Sequence, residues 1–387
     1  MDNGDGLALE SGHIAERQRP GLPFSFNGKA GEYFGIWIVN ILLSIVTLGI
    51  YSAWAKVRNK RYFYGNTNLN GSSFAYHASP LQILKGRLIA FAFFAAYAIV
   101  SSFFPALIGI FVIAIIILTP WVVVRSRAFN AFQSSYRNVR FGFTGGLWEA
   151  FKLYIVGPIA AFLSLGLALP YIAYLTDRFL VGNSSYGQTE MSFSGSPSAY
   201  YRIYGIAFLI AWPAALLILA FSALMIWTAI GSIGNQGALD AQMATLNDWF
   251  RPYAGFLPIL LTLAIPLAIV ASAYLTAKRQ NYLFDSTKVG QHRLSLNLSF
   301  MRVLWIRFSN LVVIALSIGL MIPWARIRMA RYQIEQMSLI PAGSLDTLVS
   351  DEKNRTAALG DEMGEGMDLD LGLGVCTFLL GWVNFNG

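Results

Sequence analysis

Apolar and polar positions are patterned along this chain on a coarse and a fine scale. On the coarse scale, seven apolar segments stand out, at about 33–54, 82–101, 104–124, 148–175, 203–230, 253–275 and 301–324. Several run to roughly 20 residues, the length at which a helix rising ~1.5 Å per residue crosses a hydrocarbon core of ~30 Å. On the fine scale, short stretches alternate with period two, as in Phe24-Ser25-Phe26-Asn27-Gly28 and Phe141-Gly142-Phe143-Thr144-Gly145. That period marks half-buried strands, and five are predicted, near 24–28, 74–78, 141–145, 191–195 and 294–298. They belong at the membrane surface, because an open sheet edge finds no hydrogen-bond partner in lipid. The expected class is an all-α polytopic membrane protein with short strands at the cytoplasmic membrane surface.

The segments resemble one another. At an offset of 117, Glu32 aligns with Glu149, Gly49 with Gly166, Trp54 with Tyr171 and Arg61 with Arg178. At an offset of 270, Asn40 aligns with Asn310, Gly49 with Gly319, Trp54 with Trp324, and Arg58 with Arg328. A shorter echo at an offset of 67 matches Trp54, Arg58 and Phe74 to Trp121, Arg125 and Phe141. Internal repeats of about 117–153 residues are expected, each with one helix beginning near 33, 148 or 301 and then a helix pair. The predicted divisions are a polar segment 1–23, membrane repeats 24–140 and 141–293, and a partial third repeat 294–343. An acidic tail 344–373 and an atypical extension 374–387 follow.

Each part of the recurring pattern has a physical reason. Trp or Tyr at a helix end sits at headgroup level. Arg and Lys just beyond it meet anionic lipid phosphates, at roughly 1 kcal/mol each near the surface. Trp54, Arg58, Arg61, Trp121, Arg125, Trp324, Arg326 and Arg328 are therefore the expected headgroup contacts. The basic clusters also bear on topology. Seven straight crossings would place Lys278, Arg279, Lys288, Arg293 and Arg302 outside, against the positive-inside bias. The conflict vanishes if the segments at 33–54, 148–175 and 301–324 are re-entrant hairpins, turning near Asn40, Pro158 and Asn310. Straight spans are nevertheless the favoured expectation, because each segment is long enough for one crossing and positive-inside is a bias, with Asn40 and Asn310 then ordinary packed polar residues and Pro158 a tolerated kink.

Composition reinforces the membrane reading. Hydrophobic residues make up 56% of the 387 and charged residues only 12%, against about 25% charged in soluble domains. The net charge is +8, and juxtamembrane arginines account for it, so nucleic acid is not an expected partner. Residues 1–23 lack the apolar core of a cleaved signal peptide, so insertion is expected to be driven by the first apolar segment. One cysteine, Cys376, allows no intramolecular disulfide and no cysteine zinc site.

Catalytic signatures are missing. The chain has no G-x-S-x-G, no H-E-x-x-H and no P-loop. Glu362, Glu365, Asp368 and Asp370 read as a solvated acidic tail. Lys85, Arg87, Lys152 and Arg307 start apolar segments, and Glu32 and Glu149 stand at their openings, shallow enough to snorkel. No enzyme activity, cofactor or metal is expected. Membrane lipids, anionic ones above all, are the expected partners.

The runs Glu32-Tyr33-Phe34-Gly35-Ile36-Trp37, Thr47-Leu48-Gly49-Ile50-Tyr51-Ser52-Ala53-Trp54-Ala55-Lys56-Val57-Arg58 and Arg61-Tyr62-Phe63-Tyr64-Gly65-Asn66-Thr67 resemble the YjgN family of uncharacterised bacterial inner-membrane proteins. The resemblance covers about residues 20–373 and implies an inner-membrane location, with no established activity or site to carry over. Permeation or transport of a small solute or lipid is the leading functional expectation, from the Gly- and Pro-interrupted segments and the paired Asn40 and Asn310. A non-catalytic scaffold binding anionic lipid is the alternative.

Overall fold

The computed structural model describes residues 21–233, 256–343 and Val349. Ten short antiparallel strands close into a barrel in the order β1-β10-β9-β8-β7-β6-β5-β4-β3-β2. They are β1 (Leu22–Phe26), β2 (Thr67–Leu69), β3 (Ser72–Tyr76), β4 (Ser134–Tyr136), β5 (Val139–Phe143), β6 (Ser184–Tyr186), β7 (Thr189–Phe193), β8 (Thr287–Val289), β9 (His292–Leu296) and β10 (Met337–Ile340). Helices leave the barrel and return to it. They are α1 (Ala30–Val46), α2 (Ser52–Gly65), α3 (Pro80–Phe103), α4 (Ile108–Phe132), α5 (Leu147–Phe151), α6 (Gly157–Leu163), α7 (Leu169–Gly182), α8 (Pro197–Ile233), α9 (Phe256–Asp285), α10 (Phe300–Leu316) and α11 (Ile322–Glu335).

This architecture corrects the expected class. The protein is not all-α, because a closed β-barrel sits at its centre. Nor does it divide into internal repeats of 117–153 residues. The positions matched at offsets of 117 and 270 mark equivalent places along successive short hairpins, from the barrel to the turn, not the edges of three-helix units. Strands of three to five residues are too short to dominate a hydropathy profile. The five predicted strands fall about two residues late, because the F-x-F-x-G runs extend past the last paired residue. In Phe26-Asn27-Gly28 the ring folds over the glycine, where a Cβ would lie 2.5 Å from it. Phe143 and Gly145 repeat this at 2.6 Å.

Alternation sends one set of side chains inward. Phe24, Phe74, Phe141, Met191 and Leu294 come from the centres of five strands, joined by Leu69, Tyr136, Tyr186, Val289 and Leu339 from the other five. Phe74 packs 4.8 Å from Tyr136, and Phe141 5.3 Å from Tyr186. Such pairs contribute ~0.5–1.5 kcal/mol each beyond area burial. The tyrosine hydroxyls are satisfied by backbone, Tyr136 donating to Leu69 O (2.8 Å) and Tyr186 to Tyr136 O (3.1 Å). The lumen is thereby filled, leaving a cavity of about 40 Å³.

Helix-to-strand junctions are locally capped. Thr67, Ser134, Ser184 and Thr287 each donate a side-chain hydroxyl to the carbonyl four residues back, at 2.7–2.8 Å. The hydroxyl satisfies a helix-end carbonyl that has no intrahelical donor.

Two kinds of helical hairpin hang from the barrel. Pro80–Phe103, Ile108–Phe132 and the stretch Pro197–Ala223 are long and apolar enough to cross a membrane. The pairs α1/α2, α5–α7 and α10/α11 are shorter, and α2, α7 and α11 have 14 residues each. They turn at Leu48-Gly49, Leu165-Gly166 and Ile318-Gly319, all with positive φ. Glycine relieves that strain at the second position. The turn also closes its own hydrogen bonds. Gly49, Gly166 and Gly319 N–H donate to Ser44, Ala161 and Ile314 O at 2.7–2.8 Å. The Thr47, Ser164 and Ser317 hydroxyls accept from Tyr51, Ala168 and Met321 N–H at 2.9–3.1 Å.

One side chain in the lining of the lumen carries an unpaired polar atom. His292 is 6% exposed, and its buried Nδ1 has no hydrogen-bond partner among the described residues. Desolvation holds its pKa below the ordinary value of 6.5. The unfolded chain then binds more protons as pH falls through about 6.5, so stability is lost in that direction until the folded pKa is passed. His77, lowered by burial and by Arg140 and Arg61, acts in the same sense. His292→Leu is therefore expected to stabilise the protein by about 1 kcal/mol. It should also flatten, without abolishing, the fall in Tm between about pH 7 and pH 5, as read by thermal denaturation in detergent.

Candidate membrane-lipid site

Each helix that returns to the barrel carries its aromatic residue at one fixed height. Trp54, Trp121, Tyr171, Tyr274 and Trp324 lie thirteen residues before Thr67, Ser134, Ser184, Thr287 and Met337, which begin the following strands. Four residues later stand Arg58, Arg125, Leu175, Lys278 and Arg328. Spacing of four puts each pair on one helix face, giving a collar of five aromatic residues and four cations. Arg58, Arg125 and Lys278 are exposed. The Arg328 guanidinium lies 5.1 Å over the Trp324 ring.

The expected headgroup residues thus separate into two groups. Trp54, Arg58, Trp121, Arg125, Trp324 and Arg328 share the collar. Trp54 stacks on Tyr51 at 6.1 Å. Arg61 and Arg326 make structural bonds instead, Arg61 donating to Ala78 O (3.0 Å) and Arg326 to the Tyr33 hydroxyl (3.1 Å). Arg328 also donates to Ser309 Oγ (2.6 Å) and Asn310 Oδ1 (3.1 Å).

Asn40 and Asn310 lie within helices, each about two and a half turns before the glycine at which the chain reverses. Asn40 Nδ2 donates to Asn59 Oδ1 across α1/α2 at 3.1 Å, while its buried Oδ1 lacks a partner among the described residues. Asn310 Nδ2 donates to Ala325 O across α10/α11 at 3.2 Å. Pro158 sits in the first turn of α6. The shallow charges serve the same kind of cross-helix contact. Arg87 reaches Ser52 Oγ, and Arg307 reaches Ser272 Oγ and Thr276 Oγ1, both at 2.6 Å. Glu32 accepts from the Tyr62 hydroxyl at 3.2 Å.

A cleft of about 260 Å³ opens beside the collar at the foot of α10 and α11. Its walls include Arg302, Arg328, Arg331, Trp324, Tyr332 and Glu335. Three guanidiniums beside an indole suit a phosphate at the interface, since guanidinium matches phosphate oxygens in a bidentate geometry. Among the described residues no group of three or more His, Cys, Asp or Glu side chains could hold a metal ion. Glu362, Glu365, Asp368, Asp370 and Cys376 lie outside the described residues.

Sequence reasoning missed the most deeply buried charge among the described residues. Asp177 is fully buried on α7. Arg279 of α9 grips it twice, Nε to Oδ2 at 3.0 Å and a terminal nitrogen to Oδ1 at 2.8 Å. The Tyr200 hydroxyl of α8 adds a third bond at 2.6 Å. The signal was one acid standing where α2 and α11 place Lys60 and Ala330.

A profile of a bacterial protein family of unknown function, DUF898, matches residues 21–366. The chain belongs to the DUF898 family. Curated relatives named inner membrane protein YjgN agree over nearly their whole length. That of Escherichia coli O157:H7 is 27% identical over 376 residues, covering 87% of this chain and 92% of the relative. That of E. coli K12 is 26% identical over the same length and shares. That of Salmonella typhimurium is 26% identical over 370 residues, covering 85% and 91%. No solved structure matches this DUF898 protein. It is a multi-pass protein of the bacterial inner membrane, consistent with its apolar helices.

The Asp177 cluster ties three helices into one unit. Arg279→Met is expected to destabilise by about 3 kcal/mol or more, because it leaves a buried carboxylate without its counter-charge. Adding Asp177→Asn should recover a large part of the loss in thermal unfolding.

Proposed function

We propose that this protein is a non-catalytic scaffold of the inner membrane that binds anionic lipid through its collar. The observation that carries the reading is the ring of five aromatic residues over four cations, at one height above the barrel. Arginine over tryptophan places a phosphate ligand at the depth where indoles reside. The short hairpins fit the same setting. Their tips Leu48, Leu165 and Ile318 are 94–95% exposed. From Trp305 to Ile318 the exposed apolar face rises roughly 20 Å at ~1.5 Å per residue, less than a ~30 Å core. In this reading the short hairpins enter from the barrel side and return, while α3, α4, α8 and α9 cross.

Transport draws less support. The lumen is filled with aromatic and aliphatic side chains, and the amides of Asn40 and Asn310 bridge helices rather than lining a path.

Two measurements test the reading. In vesicles containing phosphatidylglycerol, Arg58→Gln with Arg125→Gln is expected to weaken retention of that lipid by on the order of tenfold or more, at roughly 1 kcal/mol per cation, with Tm little changed. Unchanged retention, or glycerol-driven swelling of vesicles carrying the parent protein, would overturn it. For orientation, Ser73→Cys and Glu190→Cys in a Cys376→Ser background should resist an impermeant thiol reagent in intact cells and react after lysis. Reaction in intact cells would put the barrel on the wrong side.

A further inference from the structure

We infer that the cleft between α5 and α7 is a binding site for a phosphodiester headgroup that carries a cationic amine. The cleft measures about 590 Å³, and its charged walls are Glu149, Lys152 and Arg178. The inference rests on the membrane-interface reading only for the depth at which this cleft lies.

The first support is an arginine released from a structural task. Six residues before their strands, Arg61 and Arg331 donate to Ala78 O (3.0 Å) and Gly28 O (2.8 Å). Asn281 does the same to Leu298 O at 3.0 Å. These bonds close the loop at the start of a neighbouring helix. Arg178 stands at the equivalent place before Ser184, yet it is exposed and has no partner among the described residues. Its guanidinium is left facing the cleft.

The second support is local backbone geometry. Only the helix entering this hairpin contains a π-helical turn among the described residues, at Lys152–Val156. Gly157 N–H reaches back five residues to Lys152 O. Pro158 has no N–H to offer Tyr154 O, which an α-helix would require. Turns of this kind recur at functional sites. Here the turn carries Lys152 to the cleft wall, with its ammonium 5.4 Å over the exposed Trp148 ring.

The third support is the charge pattern. The collar cation is missing at this hairpin, where Leu175 lines the cleft instead of an arginine or lysine. Lys152 and Arg178 supply two donors for a phosphate, and Glu149 supplies a carboxylate for an amine. Charge-assisted bonds of both signs in one cleft select a zwitterion over a simple anion.

Native mass spectrometry of the full chain in detergent tests this with short-chain phosphatidylethanolamine, phosphatidylglycerol and inorganic phosphate. One phosphatidylethanolamine is expected per chain, held at least fivefold more tightly than phosphatidylglycerol. Arg178→Gln should weaken it tenfold or more, with Arg178→Lys recovering part. Glu149→Gln should erase the preference for the amine lipid while leaving phosphatidylglycerol unchanged. Unaltered binding by Arg178→Gln would overturn the site. An unaltered preference in Glu149→Gln would overturn its amine specificity, and full displacement by inorganic phosphate would reduce it to a free-anion site. The collar variants should leave this binding intact, so the two readings fail separately.

Discussion

Strand β1, at Leu22–Phe26, pairs with β10, at Met337–Ile340, across more than 300 residues of sequence, with Leu22 opposite Leu339. This pairing closes the barrel, and the rest of the molecule depends on it. A sheet of three- to five-residue strands has little strength as an open ribbon. Closed, it leaves no unpaired edge beside a membrane. Closure also dictates the route of the chain. Each helix pair begins and ends on neighbouring strands, so both of its ends lie at the same side. Hairpins are then the available path, whatever their length.

The same demand for satisfied backbone explains the hairpin tips. A reversal in an apolar setting must spend no carbonyl or N–H on water. The Thr47, Ser164 and Ser317 hydroxyls and the glycines that follow them meet that demand locally. Near the barrel the solution is different. There arginines and asparagines bond to carbonyls of neighbouring loops, and Asp177 holds three helices through Arg279 and Tyr200. Polar chemistry is concentrated between the plugged lumen and the collar, and apolar surface beyond it.

Differences among the hairpins are informative because the barrel imposes so much likeness on them. Most arginines at the equivalent places are committed to neighbouring loops or to the collar. Arg178 is not, and the helix opposite it departs from α geometry at Lys152. Such departures mark where local regularity has yielded to something else.

Membrane entry, the places of the aromatic and basic residues, and the short alternating strands that punctuate the helices are all legible in the order of residues. Those features reside in local periodicity and in the i, i+4 spacing of Trp54 with Arg58 or Trp324 with Arg328. The order of residues also exposed the likeness of the segments near 33, 148 and 301, though the division into long repeats did not survive. The three-dimensional fold was needed to show that the strands close into a barrel and that β1 is completed by β10. It alone showed that the reversals fall at Gly49, Gly166 and Gly319 rather than at Asn40, Pro158 and Asn310. It alone separated Arg61 and Arg326, spent on structural bonds, from Arg58 and Arg125, left exposed. The physical reason is the range of the interactions. Helix length, turn chemistry and amphipathic spacing act over a few residues. Strand pairing, ion pairs such as Asp177 with Arg279, and the freedom of a guanidinium depend on partners far away in the chain.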